Sequence, residues 1–258
     1  MMQAGRRRRW ALAVRTPARP RATLLQEGRW LSDHSPRQST QAGEPVNTSQ
    51  IALTFPASSF VPVVLGFFGL GTGYLIYGPQ ELFGFPKRDP RVDRANGAWG
   101  VWMPGFCQFL VGVYLFVGLT WFQVFTGNMA LYMAAVAFSA YGIHWFAMGW
   151  NRLQGADARP NGFMSIPFVV ISVLGLTVFF RAGAWPVGLL FTGLTLVYVA
   201  EFFASLKIGA KVAADGQELS NPGEKALGLV HIVVGLWLMY LTVATTLNIA
   251  SGFHLPGG

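Results

Sequence analysis

The chain has 258 residues, 52% of them hydrophobic and 12% charged, with a formal net charge of +8. Soluble globular proteins carry roughly 25% charged residues, and here no Asp, Glu, Lys or Arg occurs between Arg94 and Arg152, which excludes a soluble fold with a hydrated surface. Nine of the 19 basic residues lie before Gln50 and the rest of the chain is close to neutral, so the charge is no nucleic-acid footprint.

Residues 1–57 form a basic extension rich in Arg, Pro and Ser, opening on Arg6-Arg7-Arg8-Arg9. Its composition is that of a disordered tail. A transit peptide is the other reading, whereas the lack of an apolar stretch before Pro56 argues against a cleaved secretory signal. A bilayer core of roughly 30 Å then needs about 20 apolar residues as helix. Six stretches qualify: Ser58 to Tyr77, Ala98 to Trp121, Asn128 to Trp150, Phe163 to Phe180, Trp185 to Leu206 and Ala226 to Ile249. They are continuous and do not alternate with period two, so helices are preferred to barrel strands. The expected fold is an all-α integral membrane protein, a bundle of six transmembrane helices over residues 58–250, with a short C-terminal tail at 251–258.

In the first span Gly69 and Gly73, four apart, share a face suited to close helix contact. Pro62, Pro104, Pro167 and Pro186 are each expected within the first few residues of a span, where a missing N–H costs nothing. Pro62 would also point a positive helix end at a cavity. The single cysteine, Cys107, can form neither an intramolecular disulfide nor a metal cluster, and reads as filler of the second span. Trp121, Trp150 and Trp185, near span ends, read as interfacial anchors.

Ionisable groups at membrane depth are costly and hence functional candidates. His144 lies mid-span in the third helix. Glu201 near the end of the fifth and His231 in the first turns of the sixth can each reach the interface. Gln108, Asn128, Tyr141, Tyr240 and Asn248 add uncharged hydrogen-bonding groups. The loop charges split over orientation. Lys87, Arg88, Arg91, Arg94, Arg152, Arg159, Lys207, Lys211 and Lys225 favour an outside N-terminus, and the nine arginines of the extension favour an inside one. The expectation is a multi-pass protein of the cell membrane with a cytoplasmic N-terminus. There is no Gly-x-Ser-x-Gly, His-Glu-x-x-His, Cys-x-x-Cys or P-loop. A hydrolase or an ATP-driven pump is therefore not expected, and neither a cofactor nor a metal is called for.

Several segments carry a resemblance. Gly127-Asn128, followed by Ala137-Phe138-Ser139-Ala140-Tyr141-Gly142 and Trp145, resembles the Gly-Asn…Ala-Phe-Thr-Ser-Tyr-Gly-x-x-Trp segment of the acetate uptake transporter family. Gly228-Leu229, Tyr240 and Asn248 in the last span agree with it. So do Gly105, Gln108 and Gly112 in the second and Gly193-Leu194-Thr195 in the fifth. The family's opening Asn-Pro-Ala-Pro-Leu-Gly-Leu is degenerate: Pro62, Leu65 and Gly66 remain, and Val61 replaces the Asn. Gln108 to Gly127 is longer than in the family, Leu115 stands where a Glu is usual, and basic residues of the second loop are missing. The pattern is that of a divergent member, similar over Phe60 to Asn248.

The resemblance implies a pore within each protomer of a homo-oligomer, a hexamer in the family, passing a small carboxylate or its acid, with a proton as coupled partner. It implies an apolar-aromatic constriction at Leu70, Tyr141 and Leu194, with Asn128, His144 and Gln108 as associated polar groups. His144 is the first choice for a proton carrier, because imidazole titrates near neutral pH. Two other classes stay open: a redox subunit with His144 and His231 as axial haem ligands, and a non-transporting scaffold. Ammonium is a further solute the sequence allows.

Overall fold

The structure, a computed structural model, describes residues 62–212, 214 and 218–257. The basic extension and the predicted start of the first span at Ser58 lie outside them. The chain folds as α1 (Val63–Phe83), α2 (Pro90–Gly100), a π-helical stretch (Val101–Phe106), α3 (Cys107–Thr120), α4 (Ala130–Gln154), α5 (Arg159–Arg181), α6 (Trp185–Ser205), a two-stranded hairpin of β1 (Lys211–Val212) and β2 (Glu218–Ser220), and α7 (Pro222–Ser251). This is an all-α membrane protein. Among the described residues, five continuous helices are long and apolar enough to cross a bilayer: Pro90–Thr120, which joins α2 to α3, and α4, α5, α6 and α7. The 21-residue α1 is also long enough. It runs through the bundle against α7 and α3.

α1 does not stop at Tyr77 as the sequence suggests. It continues through Gly78-Pro79 to Phe83 and ends on Gly84, whose φ of 70° is left-handed and whose N–H donates to Gln80 O. Long-range bonds hold this extra stretch. Gln80 Oε1 accepts from Asn96 Nδ2 at 3.1 Å, and Glu81 pairs with His231 of α7 at 2.6 Å. The second span also starts earlier than predicted, at Pro90, because Asp89 caps α2 by accepting from the N–H groups of Arg91 and Val92.

Two of the four prolines depart from their expected places. Pro62 caps α1 and Pro186 opens α6, as anticipated. Pro104 instead sits mid-span in the π-helical stretch, whose wider turn accommodates the missing N–H. Pro167 lies well inside α5, because that helix begins at Arg159, where Asp157 accepts the Arg159 N–H at 2.9 Å. Hydrogen bonds from the exposed Arg159 side chain hold the Asp157 carboxyl down at about 2.

Glycines set the helix spacing. A Cβ on Gly112 of α3 would meet the Ser139 backbone N at 2.6 Å, and one on Gly142 of α4 would meet Phe109 N at 2.5 Å. Gly69 and Gly73 share a face, as expected, and press on the backbone at Met103 and the ring of Pro104. The hydroxyls of Thr72, Thr120, Thr177, Thr242 and Thr246 donate to the carbonyl one turn back, which satisfies them without water. Trp121, Trp150 and Trp185 are exposed near helix ends.

Candidate functional site

Three helices carry the same sequence of chemistry along one face. On α1, Val63, Phe67 and Leu70 give way to Tyr74 and then to Tyr77 and Glu81. On α4, Leu131, Ala134, Phe138 and Tyr141 lead to Trp145 and then to Met148 and Arg152. On α6, Leu190 and Leu194 lead to Tyr198 and then to Glu201 and Ser205. The steps of three or four residues are those of one helical stripe. α7 runs the other way, with Thr245 at the apolar end and Leu227 and Glu224 at the polar end.

The apolar ends enclose a cavity of about 270 Å³. Leu70, Tyr141 and Leu194, which the sequence brings together only through the family resemblance, all line it and are all buried. Gln108 and Asn128 line it too, Asn128 from the exposed loop before α4. Of the first-span motif, Pro62 and Leu65 do not line this cavity, Leu65 being exposed on the outside of α1. Gly66 lets the Phe138 ring lie against α1, where a Cβ would come within 2.3 Å of it. The C-terminal tail folds back on α7 and reaches the cavity. Asn248 holds Leu255 through both amide atoms, at 2.7 and 2.8 Å, Tyr240 Oη donates to Pro256 O, and Gly257 lines the cavity itself.

The polar ends form a vestibule of about 340 Å³. Arg152 dominates one wall. Its guanidinium lies 4.4 Å over the Tyr77 ring, bonds to Asp93 Oδ1 at 3.0 Å and donates to Gln80 Oε1. Arg88 reaches Glu224 at 3.4 Å. Glu201, buried, accepts from the Ser205 hydroxyl.

No lining residue is common to cavity and vestibule. Between them lies a layer of rings. Tyr141 stacks with Tyr198 at 5.6 Å between centroids, His144 meets Tyr198 at 5.5 Å, Phe168 meets Tyr198 at 5.0 Å, and Tyr74 stacks on His231 at 4.4 Å. Tyr141 Oη is 2.9 Å from Ser172 Oγ. His144 Nδ1 is 3.3 Å from Tyr198 Oη, and its Nε2 has no partner among the described residues.

Glu201 and His231 stand in the interior of the bundle, Glu201 in the vestibule wall. Both are buried, at 6% and 2% exposure. Glu81 was missed because the first span was ended at Tyr77. The available signal was spacing: Tyr74, Tyr77 and Glu81 stand three and four apart, on one helical face.

No protein-family profile and no curated protein matches the chain. Among solved structures it is similar to the bacterial acetate channel SatP, at 18% identity and a TM-score of 0.59 over 78% of this chain and 100% of that one. The chain therefore has the fold of that channel, a multi-pass bundle of membrane-crossing helices.

Proposed function

We propose that this protein is a passage for small monocarboxylates such as acetate, moving with a proton. The observation that carries this reading is the alignment of an apolar cavity, a ring layer and a polar vestibule along single faces of α1, α4 and α6. Leu70, Tyr141 and Leu194 form the constriction on this reading. A narrow apolar ring penalises a hydrated ion by stripping its water. A cavity of about 270 Å³ holds a solute of a few heavy atoms, since a water's share of liquid is about 30 Å³. The likeness of fold to an acetate channel supports the solute class. Gln108 and Asn128 act as pore-associated polar groups. For the proton, Glu81, Glu201 and His231 near the vestibule join His144, the choice from sequence. Exposed apolar side chains around the bundle, such as Trp102, Phe163 and Leu236, suit lipid or further copies of the chain in a homo-oligomer.

The haem reading has less support. Tyr74 covers the His231 ring, and Glu81 occupies its Nδ1. Uptake of labelled acetate, propionate and succinate into proteoliposomes, with and without a pH gradient, tests the proposal. Flux no greater than in empty liposomes removes it and leaves the scaffold reading.

A further inference from the structure

The two ends of the bundle carry very different charge. Nine lysines and arginines, from Lys87 to Lys225, lie at the vestibule end, and among the described residues Arg181 is the one such residue at the cavity end. The positive-inside rule counts Lys and Arg within about 15–20 residues of a span, and acids weigh little in it. The last arginine of the extension is Arg37, more than 20 residues before Pro62, and no Lys or Arg follows it until Lys87. The arginines of the extension therefore fall outside the count, which stands at nine to one in favour of a cytoplasmic vestibule end.

That end also has the chemistry of a lipid contact. Lys87, Arg91 and Arg94 are exposed and have no ion pair among the described residues. They stand on the α1–α2 connection and the first turns of α2, whose start is fixed by the Asp89 cap. Phe83 and Phe85, 71% and 74% exposed, precede them on either side of Gly84. Along α2, Arg91, Ala95 and Trp99 stand four apart on one helical face, and the Trp99 ring is exposed. Two of the ion pairs at this end, Arg88 with Glu224 and Arg152 with Asp93, lie in the vestibule wall, so the outward cations keep their charge for another partner. Basic side chains beside exposed aromatic rings suit the headgroup layer, with the rings at the acyl boundary and the cations on phosphate.

We infer that the vestibule end of the bundle sits in the anionic cytoplasmic leaflet, with Lys87, Arg91 and Arg94 on lipid phosphates and Phe83 and Phe85 inserted beside them. That leaflet has the negative surface potential that attracts such a cluster. This reverses the sidedness expected from the arginines of the extension. The ends of α1 and α7 that meet at the apolar cavity then lie in the opposite leaflet, and a solute arriving from outside meets the cavity before the vestibule. Only this last consequence rests on the transport reading.

Sidedness and lipid contact are both tested without measuring flux. Single cysteines are introduced by Ala214→Cys, in the exposed turn between β1 and β2, and by Gly127→Cys, in the exposed loop before α4 with nothing within 4 Å of an added Cβ. The parent, whose one cysteine is the buried Cys107, is the blank. In intact cells a membrane-impermeant maleimide should label position 127 and should reach position 214 only after the membrane is opened. The opposite pattern, or equal labelling of both, overturns the inference. Trypsin should cut the unmodified chain at Lys211 in inside-out vesicles and not in intact cells, which decides sidedness even if a variant fails to fold; a cut at Lys211 in intact cells overturns it. For the lipid contact, phosphatidylglycerol added to the full chain in detergent should bind more tightly than phosphatidylcholine, by roughly fivefold for each surface cation engaged. The triple variant Lys87→Gln, Arg91→Gln, Arg94→Gln should lose that preference. Equal binding of the two lipids by the parent, a preference kept by the triple variant, or displacement of the lipid by inorganic phosphate at the same concentration overturns the contact.

Discussion

Glu81 and His231 make the sharpest prediction about how this bundle is held. Their side chains are 6% and 2% exposed and 2.6 Å apart, joining the C-terminal turns of α1 to α7. The two side chains are hydrogen-bonded to each other, so each group is the other's compensation for leaving water. Removing one strands the other at depth, which costs about 3–5 kcal/mol for a buried pair. At roughly 2–4 °C per kcal/mol for a chain of this size, that is a fall of about 6–20 °C in Tm. Glu81→Leu and His231→Leu should each show such a fall in detergent, read by loss of monodispersity on heating. The double variant replaces both polar groups by apolar ones of similar bulk and should recover most of the loss. If the double variant loses the sum of the two single losses, the groups are not each other's partners and the argument for α1–α7 coupling is wrong.

Two further predictions concern packing and access. In Gly112→Ala the new methyl would collide with the Ser139 backbone at 2.6 Å, so α3 and α4 must separate; the loss should be about 1–3 kcal/mol, read as a lower Tm, whereas alanine at Gly127, with nothing within 4 Å, should leave Tm unchanged. Truncation before Phe253, or Asn248→Ala, which unties Leu255, should speed acetate entry at the apolar end; equal or slower initial uptake by folded protein would show that the tail does not hinder entry to the cavity.

Particular residues show what was legible in the chain alone. Tyr141 could be placed deep in a span, because the uncharged run around it and its distance from both ends are local properties. The shared face of Gly69 and Gly73 was equally readable, since helical spacing needs no partner to be known. Leu70, Tyr141 and Leu194 could be named together only by resemblance; nothing in their spacing says that three helices turn them towards one space. Glu81 was legible only as a spacing, on the face of Tyr74 and Tyr77, and not as part of the helix. Gly78-Pro79 reads as a stop, and the helix continues through it with support from Asn96 and His231, partners 16 and 150 residues away.

The sequence by itself determined the solvent and the architecture: charge-free apolar runs of bilayer length must be helices in lipid, because each backbone polar group there has to be satisfied within its own segment. The tertiary structure decided which faces of those helices meet. Hydropathy is a property of each segment alone. The apolar cavity, the Glu81–His231 pair and the ring layer around Tyr198 exist only where helices distant in the chain are brought side by side.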